Sequence, residues 1–348
     1  MEDWVLKLPK VDLHLHLDGC VKPETWLALA AEQGYDSPAQ DADSLLPYMQ
    51  VDESCASLPD YLSKFAFVLP LLQTREALAR VAREAVEQAA SHNCLYIEVR
   101  FAPLLHTKRG LSADDAIGAV VAGLQQGERR TGAVARAIAV CMRHHSEEAN
   151  LPVVEAALRH YGRGLVAVDL AGDEGAFPAV GFRGLFARAR EAGLPVTIHA
   201  GEAAGPDSIR EAVAGLGAVR IGHGVRLRED QELLEWIRER RIPLELCPTS
   251  NIQTKAVASW SDFPLRDYYD RGLVVTVNTD NPTVSGTNMT RECRELAERF
   301  GFTAAELADL MRQALDAAFV ESPARVELRA RLDARLAALG IEPAAARR

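Results

Sequence analysis

The sequence predicts an α/β fold, a (β/α)8 TIM barrel with a helical insertion after the first strand and further helices at the C-terminus. Three observations predict it. Eight short β-rich runs recur along the 348 residues. Stretches with apolar residues at helical spacing separate most of them. No Pro/Ser-rich linker, internal repeat or low-complexity tract divides the chain, so one domain over 1–348 is expected. Strands that alternate with helices pair in parallel, and eight is the number that closes a barrel.

In chain order, the first run is KVDLHLHL at 10–17. Residues 18–94 follow, long enough for several helices, including an amphipathic stretch at 75–91, and are expected to cover one end of the barrel. The second strand is LYIEVRF at 95–101, with a helix at 113–131, and the third is VARAIAVCM at 134–142. The fourth, LVAVDL at 165–170, precedes a helix at 182–192. The fifth, PVTIHA at 195–200, precedes one at 206–215, and the sixth, VRIGH at 219–223, precedes one at 229–240. PLELC at 243–247 and LVVTVNT at 273–279 complete the eight. A charged, Ala/Leu/Arg-rich tail at 290–345 reads as helices packed outside the barrel.

Composition excludes several classes. A hydrophobic content of 48% is ordinary for a globular protein and too high for disorder. The formal charge of −10 lacks the basic footprint of a nucleic-acid binder. Six cysteines (Cys20, Cys55, Cys94, Cys141, Cys247 and Cys293) are scattered without a CxxC pair, which reads as reduced thiols. The start Met1-Glu2-Asp3-Trp4 has no basic, apolar signal-peptide pattern, and no apolar run approaches the roughly 18 residues that span a bilayer. A cytoplasmic location, no membrane and no nucleic-acid partner are expected.

The chemistry gathers at strand ends. His14-Leu15-His16 places two imidazoles on one strand face, about 7 Å apart along the chain. Alone, that pair fits a polar strand edge as well as a metal site. His199 closes the fifth strand with Glu202 three residues on, His223 closes the sixth, and Asp280 closes the eighth. C-terminal strand ends of a barrel converge on its mouth. His14, His16, His199 and Asp280 make a mixed nitrogen/oxygen set suited to Zn2+, with a position left for water. A metal of this kind lets water lose its proton near neutral pH. The fourth strand ends Asp169-Leu170-Ala171-Gly172, without a lysine to bridge two metals, so one zinc ion per chain is expected. Glu202 and His223 remain. Attack of hydroxide on an aromatic carbon bearing an amine needs a proton given to the ring and a group to handle the water. Glu202 serves as donor if desolvation raises its pKa, and His223 acts on the water with help from Asp280.

These residues resemble the adenosine deaminase family of the amidohydrolase superfamily. The likeness runs from Pro9-Lys10-Val11-Asp12-Leu13-His14-Leu15-His16-Leu17-Asp18-Gly19 to Asn278-Thr279-Asp280-Asn281. It takes in Ser57-Leu58-Pro59-Asp60-Tyr61-Leu62-Ser63-Lys64-Phe65, the Asp169-to-Glu174 segment, His199-Ala200-Gly201-Glu202 and Cys247-Pro248-Thr249-Ser250. The resemblance implies the same barrel and the conversion of a 6-aminopurine nucleoside to its lactam plus ammonia. By resemblance, His14, His16, His199 and Asp280 hold zinc, Glu202 protonates purine nitrogen 1, and His223 acts on the water attacking carbon 6. Gly172 would offer its N–H to nitrogen 3, and Asp18 and His16 would face the ribose. Leu58, Tyr61, Leu62 and Phe65 match an apolar lid helix, although their spacing alone fits a plain core face. Asp18 equally suits a helix cap. Asp169 and Ser250 either orient ligands or are structural polar groups.

One position departs from the pattern. Asn281 stands where many family members have an aspartate facing nitrogen 7; an amide can donate there directly. Adenine and 6-aminodeoxyfutalosine stay open as substrates. Amide or phosphoester hydrolysis is disfavoured by the missing bridging lysine, and a non-catalytic binding role by the complete ligand set. The H-x-E with P-C-x-x-C pattern of helical-fold deaminases is absent. Gly215-Leu216-Gly217 precedes a strand, so it supports no dinucleotide site.

Overall fold

A computed structural model describes residues 4–342. Its eight strands are β1 (Lys10–His16), β2 (Cys94–Phe101), β3 (Val134–Met142), β4 (Leu165–Ala171), β5 (Thr197–Ala200), β6 (Arg220–His223), β7 (Leu244–Leu246) and β8 (Val275–Val277). They pair in parallel in the order β1-β2-β3-β4 and β5-β6-β7-β8. Two seams join the halves into a ring. At one, Val168 pairs with Val196; at the other, Leu15 pairs with Asp280. There the His16 and Asp280 amides donate to the carbonyls of Asp280 and His14, each at 2.7 Å. The barrel expected from strand count is present.

The strands are buried on both faces because helices cover the outside and side chains fill the inside, so every residue of β2 and β4 is buried. The last two strands are shorter than their β-rich runs. Pro248 and Pro282 sit at the start of short helices just past β7 and β8, and neither can donate to a ladder. The outer helices fall where periodicity put them: Arg75–Ser91, Ala113–Thr131, Arg183–Glu191 and Gln231–Glu239. The stretch at 206–215 differs; Pro206–Arg210 is α-helical and Glu211–Gly215 widens into a π-helical turn. Helices Arg75–Ser91 and Ala113–Thr131 pack backbone to backbone at Gly123, where a Cβ would lie 2.2 Å from the Ala79 carbonyl oxygen.

The insertion after β1 folds into Pro23–Gln33, Ala42–Met49, Leu58–Leu62 and Phe65–Val68 ahead of Arg75–Ser91. The lid expected as one helix is thus two short ones. Ser57 caps the first by accepting from the Asp60 amide, and Ser63 and Lys64 bridge to the second in helical conformation. The tail forms Met289–Phe300, Ala304–Ala317 and Ser322–Ala338. Residues 343–345 of the expected tail lie outside the described residues. Among the described residues no helix is long and apolar enough to cross a membrane.

The barrel interior is ionic, where branched aliphatics are the usual filling. Glu245 on β7 accepts from Arg100 Nη2 at 2.6 Å, Arg220 Nε at 2.6 Å, Thr197 Oγ1 at 3.0 Å and pairs with His14 Nδ1 at 2.8 Å. Arg100 also reaches Asp169 at 2.9 Å, and Arg220 reaches Glu98 at 2.5 Å. Burial opposes the Glu245 charge, but the two guanidiniums hold its pKa well below the usual carboxylate range. Removing one partner would strand a buried charge, at a cost of about 3–5 kcal/mol. This layer is the rigid base on which the strand-end groups stand.

Candidate active site

The strand ends bring the predicted ligand atoms together. His16 Nε2 lies 3.2 Å from His199 Nε2 and 3.3 Å from Asp280 Oδ1; His14 Nε2 lies 3.5 Å from the same oxygen. Donors bound to zinc at about 2.0–2.1 Å in a tetrahedron stand about 3.4 Å apart, so this spacing fits one ion. His14 Nε2 is buried and has no hydrogen-bond partner, as expected of a lone pair kept for a metal. The groups His14–His16–Asp280 and His14–His199–His223 each have ligand atoms within 4.8 Å of one another. Burial lowers the pKa of His16 and His199, which favours the neutral ligand form. Asp280 is ionised despite its burial, because the imidazoles of His14, His16 and His223 around it hold its pKa well below normal.

Three of the four predicted ligands, His14, His199 and Asp280, are each aimed by a partner behind them. Glu245 holds His14 Nδ1 at 2.8 Å, Asp169 holds His199 Nδ1 at 2.9 Å, and Ser250 Oγ donates to Asp280 Oδ2 at 2.6 Å. Such partners fix tautomer and ring orientation. The Asp169 and Ser250 contacts are those allowed for in the sequence; Glu245 was not singled out there. Its signal was a single charge in the otherwise apolar run PLELC. The backbone adds its own constraint, since Asp280 and His223 have φ of 60° and 62°, in the left-handed region. Non-glycine residues held there are strained and cluster at functional positions.

Glu202 and His223 stand beside the cluster. His223 Nε2 is 3.5 Å from Glu202 Oε2, and Thr254 Oγ1 donates to Glu202 Oε1 at 3.3 Å. Burial, reinforced by the charges of Asp280 and Glu174, pushes the Glu202 pKa well above its ordinary value. That shift favours its protonated form. Burial lowers the His223 pKa. The Asn251 Oδ1 accepts from the Cys247 amide at 3.3 Å, which turns its NH2 toward His223 Nδ1 at 2.9 Å. With Nδ1 accepting, the ring proton of neutral His223 sits on Nε2, the atom facing Glu202. Thr254 and Asn251 were not anticipated, because neither belongs to a strand-end motif.

A cavity of 480 Å³ opens above these groups. His16, Asp18, Gly172, His199, Glu202, His223, Asp280 and Asn281 line it, as do Leu58, Tyr61, Leu62 and Phe65 from the two lid helices. His14 is fully buried beneath it. Every residue picked from sequence is thus in one place. The opposite wall, Ala102, Leu105, Met142, His144 and Phe177, was not foreseen; it comes from the β2, β3 and β4 ends and their loops. Gly172 has φ of 110°, a backbone that leaves its N–H without a side chain beside it. Tyr61 points its hydroxyl away to Ser285, at 2.6 Å. Asn281 Oδ1 is buried without a partner against Gly19, where any Cβ would lie 2.2 Å from it. Burial pushes the Asp18 carboxyl up to about 6. Among the described residues no lysine or arginine lines the cavity.

The chain is similar to known proteins in both sequence and fold. A family model described as adenosine deaminase matches residues 9–335. The chain is 42% identical to the adenosine deaminase of Haemophilus ducreyi, over 93% of this chain and 96% of that one. Its structure is similar to that of an adenine deaminase from Arthrobacter aurescens, with a TM-score of 0.87 and 29% identity, over 96% of this chain and 99% of the other. It is also similar to an amidohydrolase from Burkholderia ambifaria with bound zinc, at a TM-score of 0.85 and 27% identity, over 97% and 94% of the two chains.

Proposed function

The chain belongs to the adenosine deaminase family, and on that premise we propose that it hydrolyses adenosine and 2′-deoxyadenosine to inosine and 2′-deoxyinosine plus ammonia, using one zinc ion. The observation that carries this reading is the buried Glu202 beside the converging side chains of His14, His16, His199 and Asp280 at one purine-sized cavity.

His14, His16, His199 and Asp280 hold the metal. A zinc ion bound there supplies the Lewis acidity that makes water a nucleophile near neutral pH. Glu202 gives its proton to purine nitrogen 1 as carbon 6 is attacked, which relieves the charge building in the ring. His223 orients the attacking water through Nε2. The Gly172 N–H meets nitrogen 3, and the Asn281 amide faces nitrogen 7. Asp18 accepts from the ribose 5′-hydroxyl, while the lid helices exclude bulk water from the charged groups. The whole chain acts as one barrel domain, and its six buried free cysteines favour a reducing, cytoplasmic setting.

Substrate choice follows from charge. With Asp18 at the ribose end and no cation in the lining, a 5′-phosphate meets repulsion without a partner. Ammonia release is therefore expected from adenosine and 2′-deoxyadenosine, with kcat/KM for AMP lower by about 100-fold or more, the scale of a buried charge without a partner. Adenine, which cannot reach Asp18, should also be poor. Turnover of adenine or 6-aminodeoxyfutalosine above that of adenosine would replace the nucleoside assignment.

A further inference from the structure

Glu174, in the loop after β4, is 3% exposed, and its carboxylate is fully occupied by the backbone that carries Glu202. Oε1 accepts from the Gly201 amide at 2.7 Å. Oε2 accepts from the amides of Glu202, Ala203 and Ala204 at 3.0, 2.8 and 2.9 Å. Four consecutive N–H groups converge because Gly201 turns the chain with φ of 71°, and a Cβ there would strike Ile209 at 2.4 Å. Successive amides curled in this way form a concave anion site, and here the anion is a side chain of the protein.

Glu174 lies two residues after Gly172, which lines the same cavity. We propose that Glu174 is a positioning residue for the deamination step: it locks the loop of Glu202 to the loop of Gly172, so that the groups meeting purine nitrogens 1 and 3 keep one spacing. This rests on the function proposed above. Arg143 ties the same region as well, donating to the carbonyls of His199 at 2.6 Å and Phe177 at 2.9 Å. The Glu174 charge also helps to raise the Glu202 pKa.

Glu174→Gln keeps the size and removes the charge, and its NH2 faces donors, so at least one of the four amides loses its acceptor. The expected result is a fall in kcat for adenosine of about 100-fold, the effect of misplacing a reacting group by about 1 Å. KM should stay within about threefold, since Asp18 and the lid helices are unchanged. Zinc content should remain that of the wild type. Hydrogen exchange, read without substrate, should show the amides of 201–204 opening about tenfold faster while β4 and β5 stay protected. Glu174→Asp, shorter by one methylene, should show the same pattern more weakly, and decides the matter should the glutamine variant not fold. Wild-type kcat or unchanged exchange at 201–204 would overturn the proposal, as would general loss of protection and zinc in the variant examined. Failure of the wild type itself to deaminate adenosine would count against the proposed function; the exchange measurement would still judge the clamp.

Discussion

Glu202→Gln should bind zinc and adenosine normally and lose about 1,000-fold in kcat, within the range of about 10²–10⁴ that a positioned proton donor contributes. The glutamine fills the same space and can still hydrogen-bond to nitrogen 1, but it has no proton to release. The loss should fall on kcat and kcat/KM together, because the proton moves only as the transition state forms. The pH dependence has a definite sign. Burial and the charges of Asp280 and Glu174 raise the Glu202 pKa, so the working form is the protonated one, and activity declines as pH rises through that raised value. In the variant this alkaline decline should vanish from the residual rate. Steady-state rates across pH check both points, and a variant within tenfold of wild type would show that another group donates the proton.

Asp280→Ala should lose zinc on gel filtration and leave no measurable deamination. Asp280 Oδ1 faces His14 and His16 at 3.5 and 3.3 Å, so its removal takes away the one anionic ligand and leaves a buried cluster of imidazoles. Without that charge the site has no compensation for a dication in a desolvated pocket. Ser250→Ala provides the graded control. Its hydroxyl only aims Asp280 Oδ2, from 2.6 Å, so a loss of about 10- to 100-fold in metal affinity or activity is expected. Metal content by atomic absorption, paired with kcat/KM on the same samples, orders the two. Equal effects from both substitutions would mean that Asp280 is not a ligand.

The parts of this site visible in the sequence share a property: their meaning depends on local position. His16, His199, His223 and Asp280 stand at the ends of β-rich runs, and a parallel barrel brings such ends together whatever the rest of the chain does. What stayed hidden depends on partners far apart along the chain. Glu245 reaches back to His14 across 231 residues. Arg100 and Arg220 lie within strand runs, and only the closed barrel turns them inward onto Glu98, Asp169 and Glu245. Glu174 sat inside a recognised segment, yet its role appears only when the 201–204 backbone curls around it. The resemblance implies one lid helix, and the apolar spacing of Leu58, Tyr61, Leu62 and Phe65 says nothing of its division at Ser63 and Lys64. Asn281 shows the limit from the other side. Its identity raised a question about nitrogen 7, while its packing against Gly19 depends on backbone proximity that composition does not encode.

The central claim is that a single zinc ion, held by His14, His16, His199 and Asp280, is needed for deamination. Its most direct test is reconstitution of chelator-stripped enzyme, with inosine formation followed as zinc is added back. The account predicts no activity without metal and a linear rise that ends at one equivalent per chain. Full activity in the stripped enzyme, or a rise that continues to two equivalents, would contradict it.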